Sequence, residues 1–361
     1  MNIEFIKYNL PKLQKCDRIN SLLNNSPLHK TILNFTANLP HNFNINNIKY
    51  DIKLNTLDQG IFLNSHFISD KIKHTIMKMK YQYIIKCTYN NITINIQFYK
   101  KNNIFNQNNH KLIKLIIKRV ILLCTMLNKH NENILIKVFP TSYKKLLPTT
   151  KIFTGDNINS GYCMPQIEVV IFRSEELFKV LIHELLHFLN IQIDEHTHQC
   201  GQYCNIFSME NNNELLLNEA FVEFWAIILN AILLSYDVTN NIKVKKIINL
   251  INLELQFSLL QSAKILKHAG FNTFQEFMQK SDKKLIQQTH VFSYFIIKTA
   301  LLFNIIIISQ LNIHNNLSRE SFSKLILNCL NNPNFHLHMN NNIAQLHNHK
   351  YYSSLRMSLF G

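Results

Sequence analysis

The segment His183-Glu184-Leu185-Leu186-His187 carries residue types at a spacing suited to metal-assisted hydrolysis. Residues four apart on a helix lie on one face, one turn apart. His183 and His187 therefore offer two imidazoles to one metal at about 2.0–2.1 Å, and Zn2+ is the ion expected. Glu184 projects beside that face toward the open coordination position. There it serves as general base, taking a proton from water and passing it to the leaving amine.

H-E-x-x-H is a metalloprotease signature for that physical reason. In a chain with 17 histidines it also arises by chance, so its surroundings carry the weight. A catalytic zinc needs a third protein ligand. The best candidate lies in Leu217-Asn218-Glu219-Ala220-Phe221-Val222-Glu223-Phe224-Trp225, where two carboxylates stand four apart on a strongly apolar helix. Such carboxylates are costly unless they meet a cation or a donor. Glu219 is assigned as third metal ligand and Glu223 as acceptor from the free ring N–H of a ligand histidine, with the exchanged roles left open. The plain alternative is an amphipathic helix with two exposed acids. Asp194, Glu195, His196, His198, Cys200 and Cys204 form a rival cluster, but their spacing matches no strong zinc pattern and reads as a polar loop.

Elements must position these groups. Tyr81–Thr88 and Ile92–Tyr99 read as a hairpin around Tyr89-Asn90-Asn91. Lys111–Leu127 shows helical spacing, Asn133–Phe139 a strand ended by Pro140, and Ile167–Phe172 a further strand. Ser174 is expected to cap the HELLH helix, with Glu175 and Glu176 in its first turn. From Asn213 onward the chain reads as mainly helical. The expected class is α+β and zincin-like: a small mixed β-sheet lobe with the active-site helix, then a mainly helical lobe. The expected division is 1–75 as an N-terminal segment of weak signal, 76–205 as the sheet lobe and 206–361 as the helical lobe with the third ligand.

The 361 residues suffice for a sizeable core, with 47% hydrophobic and 17% charged residues. The net charge of +16 favours anionic partners such as nucleic acid, yet no dense Lys/Arg run appears, and AT-rich coding explains much of the lysine. Seven cysteines without a C-x-x-C fit a reducing compartment. The N-terminus lacks the features of a signal peptide. The apolar run Val291–Ile308 is interrupted by Lys298 and Asn304 and reads as a buried helix rather than a membrane span. A cytoplasmic protein (host cytoplasm or virion for a viral chain), not secreted, is expected. No feature specifies an oligomeric state.

Asn218-Glu219-Ala220-Phe221-Val222-Glu223 resembles the thermolysin-type N-E-A-x-x-D block and the L-N-E-G-F block of the aminopeptidase branch, both of gluzincins. With Asn159-Ser160-Gly161 and Arg173-Ser174-Glu175-Glu176, the chain also looks like predicted peptidases of large DNA viruses. The resemblance covers two short blocks, Ile167–Asn190 and Leu215–Trp225. It implies that Glu219 binds zinc, that Glu223 supports a histidine, and that the substrate is a peptide or protein. Gluzincins supply an oxyanion donor from the helical lobe as Tyr or His. Here His290 and Tyr294 share a helix face and either would serve, against the plainer roles of helix cap and core aromatic. The substrate is expected to pair with strand Ile167–Phe172. Arg356 is a lone cation, read as a surface residue or a substrate contact. Two departures stand out. Thirty-one residues separate His187 from Glu219, and no G-x-M-E-N exopeptidase motif precedes the helix. The alternatives to a peptidase are an inactive zincin-fold binding protein and a basic nucleic-acid-associated protein.

Overall fold

The computed structural model describes residues 27–40, 43–45, 48–57, 65–193, 201–210, 215–239, 242–309, 311, 313, 317–346 and 352–361. Its strands are β1 (Asp51–Thr56), β2 (Tyr81–Tyr89), β3 (Ile92–Lys100), β4 (Asn133–Thr141), β5 (Ile152–Phe153), β6 (Gly161–Met164), β7 (Glu168–Arg173) and β8 (Ile286–Gln287). Its longer helices are α1 (Pro27–Ala37), α2 (Asp70–Met77), α3 (Gln107–Met126), α4 (Leu177–Phe188), α5 (Leu217–Thr239) and α6 (Val244–Ala269). They continue with α7 (Phe292–Phe303), α8 (Arg319–Leu330) and α9 (Pro333–Ala344). The architecture is α+β, with a six-stranded mixed sheet followed by a helical region.

The sheet order is β1-β2-β3-β4-β7-β6. The β2–β3 hairpin turns through Asn90 and Asn91 alone, both with positive φ of 44° and 64°. That is the two-residue turn whose twist matches paired strands, and Asn tolerates it. The three strands β3, β4 and β7 run parallel, while β6 returns antiparallel to β7 as the sheet's edge. Strand β7 is buried at every position. Its Val169 and Ile171 face the main core, and Val170 and Phe172 face a smaller cluster with Ile72, Ile76 and Phe139. Covered on both faces, it reads as a continuous apolar run.

Helix α3 opens with a capping box at Asn106 and begins at Gln107, ahead of the expected start at Lys111. Strand β4 runs through Pro140 to Thr141, with an irregularity after Val138 that accommodates the missing donor. Ser174 does not cap the HELLH helix. Helix α4 begins at Leu177, and Glu176 stands at its N-cap in the left-handed conformation, φ 59°. The acids expected in the first turn instead accept from protein donors, Glu175 from the Lys145 backbone N–H at 2.7 Å and Glu176 from those of Met357 and Ser358.

Helix α5 is long and apolar enough to cross a bilayer, and 89% of its most apolar window is buried inside the fold. Trp225, Phe224, Ile228, Leu229 and Ile232 are fully enclosed, each burial stabilising by about 1.5–3 kcal/mol. Helix α7 opens as a π-helix over Phe292–Ile297, a register that shifts which side chains face α5.

Lys264, on α6, is fully buried, with its ammonium 3.5 Å from the Ser354 carbonyl. Burial lowers its pKa to about 7. The folded state therefore binds fewer protons than the unfolded state between about pH 7 and the ordinary lysine value, so stability rises with pH across that window. Lys264→Met should raise stability by about 1–2 kcal/mol at pH 6 and flatten that rise. Urea unfolding of both proteins at pH 6 and pH 9 checks this.

Candidate metal centre

Helix α4 packs its Leu181, Ile182, Leu185 and Leu186 into the core, each with no exposure. The remaining face carries His183, Glu184 and His187 into a cavity of about 610 Å³ between sheet and helices. Its far end closes with Asn190 at φ 55°, whose successor Ile191 donates to the Leu186 carbonyl. Asn218 then accepts from the Ile193 backbone at 3.0 Å. The start of α5 is thereby tied to the chain just after α4. Ser293, on α7, donates to the Leu216 carbonyl at 2.7 Å and fixes the same end from the other side.

These tethers bring Glu219 against both histidines. Glu219 Oε2 lies 3.2 Å from His183 Nε2 and 3.5 Å from His187 Nε2. Ligand atoms about 2.0–2.1 Å from a tetrahedral zinc stand about 3.3 Å from one another. The three donors, all within 4.8 Å of each other, therefore fit one zinc, and they are the only such cluster among the described residues. The donor set of two imidazoles and one carboxylate leaves a fourth position free for a reacting group.

Glu223 is fully buried, with Oε2 2.9 Å from His183 Nδ1. The sequence reading put Glu219 on the metal and Glu223 behind a histidine; the structure sets Glu219 against both histidines and Glu223 against His183 Nδ1. Burial alone would raise the Glu223 pKa, but Lys179 and His183 outweigh it and hold the carboxyl well below its usual range. Burial likewise opposes ionisation of Glu219, and His187 and His183 overcome it. His183 is raised to about 9, because hydrogen bonds to Glu219 and Glu223 exceed the cost of burying its charge.

Glu184 differs from both. Burial raises its pKa, the nearby Glu219 charge adds to that, and the two histidines only partly oppose it. Its Oε1 rests against Gly161: a Cβ there would meet that atom at 3.0 Å and the Val170 carbonyl at 2.8 Å. The glycine is thus required first by the Val170 backbone carbonyl of the paired strand, and it also leaves room for the Glu184 carboxylate. Cys163, also on β6, is half-buried, and that burial with the Glu184 and Glu168 charges raises its thiol pKa strongly and leaves it protonated.

Tyr294 and His290 both line the cavity, with ring centroids 6.1 Å apart. The Tyr294 hydroxyl is hydrogen-bonded to Glu219, and its pKa is raised well above the ordinary value by burial and by Glu219 and Glu184. The ring sits 6.0 Å from that of His183. His290 Nδ1 is buried without a hydrogen-bond partner. Its position is set by a small ribbon: β5 pairs with β8, Gln288 N–H donates to Phe153 at 2.7 Å, and Thr289 reaches Asn159 at 3.2 Å.

Two expectations are corrected. Strand Ile167–Phe172 cannot take up a substrate strand, because β7 is paired with β4 on one side and β6 on the other; the edge is β6. Arg356 is neither at the surface nor at the cavity: it is 3% exposed and donates to the Ser358 and Gly361 carbonyls. Asp194–Cys200, including His196 and His198, lie outside the described residues. Cys204 is disulfide-bonded, whereas Cys87, Cys124, Cys163 and Cys329 are free thiols. Lys179, Lys145 and Tyr162 also line the cavity and were not picked out from the sequence. Lys179 had a readable signal, a cation one turn before His183 on an otherwise apolar helix face.

Comparison with protein-family models, with curated proteins and with solved structures finds no match.

Glu219→Ala should abolish zinc binding, whereas Glu223→Gln should retain it with affinity reduced about 10–100-fold. Competition titration against a chromophoric chelator measures both, and the reverse order would reassign the ligands.

Proposed function

We propose that this chain is a zinc-dependent metallopeptidase of the gluzincin type with a zincin-like fold. The observation that carries the reading is the convergence of His183, His187 and Glu219 to zinc-ligand spacing with Glu184 beside them in one cavity. The mixed sheet supports it, since its short antiparallel edge strand β6 runs next to the helix bearing the histidines. Zinc held by the three donors would supply Lewis-acid polarisation of the scissile carbonyl and activation of water.

The chain's own groups would do the rest. Glu184, with its pKa raised by burial, accepts the proton of the attacking water and returns it to the leaving amine. Tyr294, kept protonated by its surroundings, donates a hydrogen bond to the developing oxyanion, with His290 beside it. An extended peptide adds to the outer edge of β6, whose main-chain groups fix its register. Next to that edge Phe67 and Tyr162 stack with centroids 5.7 Å apart, and Phe67 is 43% exposed. This rim suits an apolar side chain close to the scissile bond.

Purified protein should contain stoichiometric zinc and cleave members of a peptide library. Glu184→Gln should keep the zinc and lose about 10²–10⁴-fold in kcat/KM. Stoichiometric zinc with no cleavage of any peptide would favour a binding protein instead. A finer probe is Gly161→Ala, which should depress kcat through displacement of Glu184 while leaving zinc affinity within a few-fold of wild type. Equal turnover by the two proteins would dissociate β6 from the reaction.

A further inference from the structure

Helices α4 and α5 meet through two rungs. Lys179 and His183 are four apart on α4, and Glu219 and Glu223 are four apart on α5. Lys179 faces Glu223, and His183 faces Glu219. A diagonal joins the rungs, from His183 Nδ1 to Glu223 Oε2 at 2.9 Å.

The Lys179 ammonium grips both carboxylate oxygens, at 2.7 Å to Oε1 and 2.9 Å to Oε2. Oε2 is the atom shared with His183. A carboxylate held at both oxygens cannot rotate about its terminal bond without losing a charge-assisted bond. Lys179 therefore fixes which way Oε2 points, and with it the tilt of the His183 ring. That ring in turn carries Nε2 toward Glu219.

The grip is itself anchored from behind. Lys179 Nζ lies 3.6 Å from Met357 Sδ and feels the charge of Glu176. Glu176 pairs with Lys145 at 2.8 Å and accepts from the backbone N–H groups of Met357 and Ser358 at 2.8 and 2.6 Å. Lys298, the other cation near Glu223, is engaged elsewhere, by Ser258 Oγ at 2.9 Å and the Met357 carbonyl at 3.1 Å. Lys179 is thus the lysine that contacts Glu223, and all of these side chains are buried.

We propose that Lys179 is a positioning residue of the metal centre, acting through Glu223 to orient His183. This rests on the metal-centre reading above. An ordinary carboxylate–histidine pair leaves the carboxylate free to turn. Here an added buried cation locks it, so the orienting effect of Lys179 on the His183 ring passes through that carboxylate.

A double-mutant cycle tests this. Zinc affinity is measured by chelator competition, and cobalt substitution reports ligand geometry through its visible absorption. Lys179→Met should lower zinc affinity about tenfold or more and alter the cobalt band. In the Glu223→Gln background, Lys179→Met should change affinity by less than about twofold, because the route is already cut. The double variant also leaves no unpaired carboxylate at position 223, so it answers the question if the single variant fails to fold. Wild-type affinity and an unchanged cobalt spectrum in Lys179→Met would overturn the proposal. So would a further large loss in the double variant relative to Glu223→Gln. A wild-type protein that takes up no zinc would instead sink the metal-centre reading itself, before any comparison of variants.

Discussion

The centre of this molecule depends on one constraint: carboxylates removed from water must be met by cations or hydrogen-bond donors removed with them. Glu176, Glu219, Glu223 and Glu254 are all strongly shielded from solvent. Each finds a donor: Lys145, the two histidines, Lys179, and a run of hydroxyl and backbone donors from Ser358 to Phe360. Deleting one partner of such a pair costs about 3–5 kcal/mol, whereas replacing the pair by well-packed apolar groups is often neutral. The pairs therefore contribute orientation more than stability. Stability comes from the apolar bulk of α4, α5 and α6 around them.

That division of labour explains how two helices with few polar residues hold a precise polar arrangement. The apolar faces bring α4 and α5 together in a range of registers. The two rungs select one of them: a one-turn slide either sets Lys179 against Glu219 and leaves Glu223 facing Glu175, or sets Glu223 against His183 and leaves Lys179 facing Ile227. The sheet then adds the remaining wall. Gly161 lets β6 come up against Glu184, and the β5–β8 ribbon holds the chain leading to His290 and Tyr294 against the same space.

Much of this was legible in local sequence. The HELLH spacing, the Glu219/Glu223 pair and the β2–β3 hairpin each declare themselves within a dozen residues, because helical and strand periods are local properties. The less legible parts are long-range. The anion that meets Lys179 lies 44 residues away, and the backbone that meets Glu176 lies 181 residues away. Ser174 looked like a cap because it precedes an apolar run, but the chain enters α4 through the left-handed Glu176 instead. Strand β6 is four residues long and shows no alternation, so its place at the sheet edge is set by pairing alone. Arg356 looked exposed because no acid is near it in sequence; its partners are carbonyls of its own segment.

The long reach of Glu176 has a consequence for how the protein is made. The N-terminus of α4 is held by backbone that is synthesised 181 residues later. At about 5–20 residues per second, the ribosome needs on the order of ten to forty seconds to supply it. Through that interval the nascent chain carries both histidines without the partners that steady their helix. A chain released early, or clipped before residue 357, would display the pentapeptide and keep Lys179 and Glu223 but lack the two N–H groups that hold Glu176 at the head of its helix.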